Sequence, residues 1–259
     1  MTSVTPDFMR EALMRELRLM HAPVAVFYCF NQEGVDAFKA GGDYHRPVKP
    51  VTFCQAELGP RMESIRVLME PEKLGCTNAK YVFGWKGCDE GELKSHAKYA
   101  SGALTLEAIV KGKATLQGKG LMAVGLEPLG ASDRMPDVVH FTCDTMQAYH
   151  LATDWMATQG RPVLESAITV NSAACGGNVR VFETTKANVY LACSGNYNAG
   201  KMERGEVNIS IPGDQLPAVV ERLLERKAKT GGASITRLGD PFPGADICKN
   251  CPLIVFKRD

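Results

Sequence analysis

Pro23-Val24-Ala25-Val26-Phe27-Tyr28-Cys29 is the stretch on which the fold turns. A proline opens a continuous β-prone run with no polar alternate, which reads as a buried strand ending at Cys29, with Cys29 itself available as plain core. Upstream, Thr5-Pro6 followed by Met9, Leu13, Leu17 and Met20 has the cap and the apolar spacing of an amphipathic helix. Downstream, after a loop from Gly41-Gly42 to Pro50, helices are expected over residues 54–69, 77–85 and 89–99, and strands over 122–126 and 138–141. Asp144 can cap a helix that Gly160 and Pro162 terminate. A strand over 167–170 should run into a glycine turn at Ala173-Ala174-Cys175-Gly176-Gly177, where the backbone can approach something bulky. Strands over 189–192 and 207–211 follow, then a helix capped by Asp214 with Leu216, Val219, Val220, Leu223 and Leu224 on one face. Helices and strands interleave, so the expected class is α/β or α+β: a single mixed domain over 1–230 and a cysteine-containing C-terminal extension over 231–259.

The 259 residues are 45% apolar, enough for an ordinary core, and the formal charge is +1. That balance gives no global drive toward nucleic acid or anionic lipid. Charged residues interrupt the first twenty positions, and no stretch has the roughly 20 apolar residues of a membrane span, so a soluble cytoplasmic protein is expected. Lys94, Lys98, Lys111, Lys113 and Lys119 offer a basic face for an acidic electron-transfer partner, or simply a solvated surface.

The functional signal is nine cysteines: Cys29, Cys54, Cys76, Cys88, Cys143, Cys175, Cys193, Cys248 and Cys251. Their odd number, the chain length and a reducing compartment favour metal ligation over disulfides. Cys54 and Cys76 stand near the starts of expected helices, where partial positive charge lowers a thiol's pKa and favours an anionic cluster. Cys248-Lys249-Asn250-Cys251-Pro252 is the sharpest local motif and is similar to part of the bacterial ferredoxin run. It is half a site, for which Cys88 and either Cys29 or Cys143 are candidate partners; otherwise it is a surface dithiol. The five histidines lack paired metal-ligand spacing, although His150 on its expected helix could approach a site. GxSxG, GxxxxGK[ST] and GxGxxG motifs are absent.

Phe53-Cys54-Gln55-Ala56, Gly75-Cys76 followed by Phe83-Gly84, Pro136-Asp137-Val138-Val139, Ala174-Cys175-Gly176 and Ala192-Cys193-Ser194-Gly195 together resemble domain-of-unknown-function family 169, found largely in archaea and anaerobic bacteria. The resemblance covers roughly residues 10–225, including Pro23-Val24-Ala25-Val26 and Ile211-Pro212. It implies a dispersed set made of Cys54, Cys76, Cys175 and Cys193. Asn196-Tyr197-Asn198 stands where such families often carry an Arg, and the tail pair is an addition.

A fold can gather four thiolates from distant segments around one [4Fe–4S] cluster, and that is the expected cofactor on these four cysteines; the count is open between one cluster and two, the second drawing on Cys248, Cys251 and Cys88 with Cys29 or Cys143. The leading expectation is an oxygen-sensitive iron–sulfur protein of an anaerobe, passing electrons between redox partner proteins. Backbone N–H groups at Gly176-Gly177 and Ser194-Gly195 would tune the cluster. A cluster-dependent enzyme with one open iron acting on a small substrate is the first alternative. A structural zinc module is the second, although such sites usually present two close cysteine pairs and this chain has one. A homo-oligomer is left open.

Overall fold

The computed structural model describes residues 4–89, 93, 94 and 96–229; the extension over 231–259, with Cys248 and Cys251, lies outside the described residues. Six strands form one sheet: β1 (Val24–Cys29), β2 (Val67–Met69), β3 (Ala123–Pro128), β4 (Val138–Asp144), β5 (Asn188–Tyr190) and β6 (Glu206–Pro212), in the order β2-β3-β1-β4-β6-β5. Every pairing between these six strands is antiparallel, which makes the fold α+β. The opening apolar run is β1, between β3 and β4, with Val24 opposite Pro128 on one side and His140 on the other. All six of its residues are buried because helices cover both faces of the sheet.

On one face, Ala25, Phe27 and Cys29 meet α1 (Pro6–Leu17), α2 (Gln32–Ala40), α6 (Thr145–Thr158) and α9 (Leu216–Lys229). Here α1 presents Met9, Ala12, Leu13 and Leu17, and α9 presents Leu216, Val219, Val220 and Leu223. Met20 is exposed rather than part of this stripe, because Arg18 turns the chain out of α1 at φ 51°. Asp144 caps α6 through a reciprocal capping box with Gln147, and Gln147 also ties the helix to Leu17 and Arg18 carbonyls. On the other face, Val24, Val26 and Tyr28 meet α3 (Phe53–Ala56), α4 (Thr77–Val82) and α7 (Ala173–Thr184). Two further helices are α5 (Leu106–Lys111) and α8 (Ser194–Ala199).

Three expectations are corrected. The helix over 54–69 is instead the short α3, a wide π turn at Gly59–Glu63 and then β2. Pro60 has no N–H and its ring clashes with a helical carbonyl one turn back, so α3 cannot continue through it. No strand forms over 167–170; Ala167 is held by the Asn188 side chain rather than by a ladder. The glycine turn at 173–177 is the first part of α7, yet its glycines do admit something bulky. A Cβ on Gly177 would lie 2.3 Å from Cζ of Tyr190, so the ring occupies the space a side chain would take.

Candidate functional site

Four short-range folding events put four cysteines at helix starts. Thr52 caps α3 in a capping box with Gln55, leaving Cys54 in the first turn. Cys76 is the residue preceding α4. Cys175 lies in the first turn of α7. Cys193 precedes α8, and its Sγ accepts the Asn196 N–H at 3.4 Å.

These four cysteines line a single cavity of about 330 Å³, together with Lys98, Asn171 and Ser172. Cys54 and Cys175 are buried, whereas Cys76 and Cys193 are partly exposed, so solvent reaches the cavity on their side. Gly200 abuts Cys54: a Cβ there would lie 3.2 Å from that of Cys54, which brings the end of α8 against α3.

The electrostatics follow from this crowding. Burial pushes the Cys54 thiol well up, and Glu57 and the other three cysteines add to the effect. Burial also raises Cys175, with Cys76 and Cys193 adding to it and Lys113 opposing it. Without a compensating cation these two sulfurs remain thiols at neutral pH. No three His, Cys, Asp or Glu side chains among the described residues are grouped so as to hold one metal ion.

The remaining candidates stand apart. Cys88 is exposed and does not line the cavity. Cys29 and Cys143 pack in the core on the opposite face of the sheet, where burial raises the Cys29 thiol to about 11 and pushes Cys143 up as well. His150 is on α6, also across the sheet. Of the lysines, Lys111 pairs with Glu107, Lys119 with Glu183, and the buried Lys113 donates to Asn78 at 2.9 Å. Lys98 alone of the five lines the cavity.

Beneath the cysteines is a buried polar network that the sequence reading missed. One helical turn beyond Cys54, Cys175 and Cys193 come Glu57, Asn178 and Asn196, all buried. Asn178 donates to Glu57 at 3.3 Å and accepts from Ser210 at 2.6 Å. Asn196 accepts from Asn208 at 2.8 Å. His140 Nδ1 meets the Tyr190 hydroxyl at 2.8 Å and Ser210 at 3.1 Å. Arg61 reaches in, donating to Thr142 at 3.3 Å and to the Gly200 carbonyl at 2.5 Å. Burial raises Glu57 to about 8 against the pull of Arg61, and burial with Arg61 lowers His140 to about 3. The 3.9 Å approach of His140 Nε2 to Glu57 is therefore a contact of neutral groups at pH 7, not an ion pair. Its sequence signal was the alternation of His140 and Thr142 in β4 and of Asn208 and Ser210 in β6, which pair across the ladder.

Fold and cavity together define an α+β domain whose helix starts bring four dispersed cysteines to one place. The chain belongs to the DUF169 family, described as uncharacterised ArCR, which matches residues 12–222. No curated protein and no solved structure matches the chain. Among the described residues no helix is long and apolar enough to cross a membrane.

Proposed function

We infer that this protein holds one [4Fe–4S] cluster on Cys54, Cys76, Cys175 and Cys193 and passes single electrons between partner proteins in a reducing, cytoplasmic setting. The observation that carries the reading is the convergence of these four cysteines, from four separate segments, on one cavity.

The residues suit the group in volume, donor type and charge. Eight cluster atoms, allowed the ~30 Å³ a water takes in the liquid, need ~240 Å³, and the cavity has about 330 Å³. Soft thiolates are the donors such clusters use. Cys54 and Cys175 carry a burial penalty as thiolates that a bound cationic centre would offset. Four thiolates suit a structural zinc as well, and metal content and colour separate the two occupants.

When bound, such a cluster supplies one-electron chemistry. The chain's own part is to exclude water with Phe53 and Ala79, to hold Cys193 through the Asn196 N–H, and to anchor three of the four helices on Glu57, Asn178 and Asn196. The electron would come from a reduced partner protein and leave to an oxidised one. The same cavity would serve an enzyme with an open iron if one of the four cysteines proved dispensable for cluster binding.

Iron, acid-labile sulfide and the visible spectrum of anaerobically purified protein test the reading. About four irons per chain, with a broad band bleached by dithionite and lost on Cys175→Ser, is the expected result. About eight irons, falling to four in the double variant Cys248→Ser and Cys251→Ser, would extend it to a second cluster on the tail. Colourless protein, with zinc or without metal, would overturn it.

A further inference from the structure

Ser172 has three features that its place in the chain does not explain. It immediately precedes α7, where a serine ordinarily accepts a hydrogen bond from a first-turn amide, yet its side chain caps nothing. Its backbone lies at φ 130°, after Asn171 at φ 44°, so two successive non-glycine residues occupy the region that favours glycine. Its hydroxyl is buried without a hydrogen-bond partner, in a residue only 3% exposed. Buried hydroxyls in native proteins nearly always find a partner, and strain of this kind persists where a site requires it.

The three features meet at the cysteine cavity, which Ser172 lines. Gly176 leaves it the room: a Cβ there would lie 3.1 Å from that of Ser172. A relaxed backbone would let the hydroxyl turn back onto α7 as a cap. The observed one withholds the cap and leaves Ser172 in the wall of the cavity that the four cysteines line.

Building on the cluster reading above, we propose that Ser172 is a positioning residue that donates its hydroxyl hydrogen to a sulfur of the group bound among Cys54, Cys76, Cys175 and Cys193, and thereby raises that group's reduction potential. A buried donor fixed beside a sulfur stabilises the more negative, reduced form over the oxidised one. The orphan hydroxyl and the strained corner are then features of the protein without its ligand.

The test compares wild type, Ser172→Ala and Ser172→Gly in the full chain, purified anaerobically. Iron and sulfide are measured first, then the midpoint potential of the loaded protein and the melting temperature of the metal-free protein. Both variants should load as much iron as wild type and show a more negative potential. A tenfold shift in the reduction equilibrium corresponds to ~59 mV for a one-electron couple. Ser172→Gly should also melt higher than wild type without metal, because it relieves the positive φ and removes the orphan hydroxyl. An unchanged potential at equal iron content overturns the proposal while leaving the cluster reading intact. A lower melting temperature for metal-free Ser172→Gly overturns it too, since the serine would then be structural. Wild type free of iron and sulfide overturns both.

Discussion

Gly177→Ala tests the packing logic of the site by the sign of its effect. Gly177 lies inside α7, where alanine is intrinsically better by ~0.8–1 kcal/mol, so helix propensity alone predicts a stabilised protein. The packing predicts the reverse. The added Cβ would stand 2.3, 2.5 and 2.6 Å from Tyr190 ring carbons, against ~3.5–4.0 Å for carbon atoms in contact. The ring, only 2% exposed, has to retreat by more than ~1 Å. Overpacking of this kind costs ~1–3 kcal/mol. Pulling the Tyr190 hydroxyl from His140 and Ser210, each 2.8 Å away, adds ~1–3 kcal/mol for buried groups left unpaired. After subtracting the propensity gain, a net loss of ~3 kcal/mol is expected, or a fall in melting temperature of ~6–12 °C for a chain of this size. Urea denaturation followed by circular dichroism reads the loss directly. Gly87→Ala is the control: nothing lies within 4 Å of its Cβ, and its effect should stay within ~0.5 kcal/mol. A Gly177→Ala protein as stable as wild type, or more so, would refute the close approach of α7 to Tyr190 and with it the placement of Cys175.

Glu57→Gln should flatten the alkaline side of the stability profile. The folded carboxyl, raised to about 8 from an unfolded value near 4.5, binds more protons than the unfolded one between these limits, so wild-type stability falls as pH rises through that window. The amide removes up to ~5 kcal/mol of that fall, of which ~3 kcal/mol lies between pH 6 and 8, and an unfolding series from pH 6 to 9 that declines equally in both proteins would reject the buried neutral acid. His140, lowered to about 3, acts oppositely: its contribution is lost as pH falls from about 6.5 toward 3, so the acid limb should persist in the variant. Arg66→Ala should cost ~3–5 kcal/mol in denaturant, because it leaves Glu127, 1% exposed and 2.7 Å from the guanidinium, as a buried charge without its partner. Cys143→Ala should lose no more than ~1–2 kcal/mol and leave iron content unchanged, since its thiol packs across the sheet from the cavity; loss of iron would return Cys143 to the ligand set.

The parts of the fold that could be read in the sequence are those where local chemistry and tertiary packing agree. β1 was legible because six consecutive apolar residues have no solvent face, and the structure buries both sides. α6 was legible to its ends because Asp144 caps it and Gly160 and Pro162 stop it. α3 was overextended because its periodicity continues past Pro60, whose missing donor diverts the chain. The start of α7 read as a turn because Gly176-Gly177 is locally helix-averse. Contact with Tyr190 and Ser172, distant or turned back in the chain, makes glycine the residue that fits. α2 was not anticipated, although Asn31 caps it by accepting from Gly34.

The polar network escaped for a related reason, and it changes how the cysteine set is understood. His140, Thr142, Asn208 and Ser210 alternate with apolar neighbours as the outer side of a half-exposed sheet would, and nothing local says that α7 and α8 cover them. Once covered, each polar group needs a partner, and Glu57, Asn178 and Asn196 supply it from one turn beyond three of the cysteines. A slip of α7 or α8 by one residue would break these hydrogen bonds as well as move a sulfur, so satisfaction of the network and convergence of Cys54, Cys175 and Cys193 are the same geometric requirement. The cysteines therefore need no local motif. Their spacing in the sequence is set by the lengths of the strands and helices between them, and their spacing at the cavity by the buried polar groups beneath.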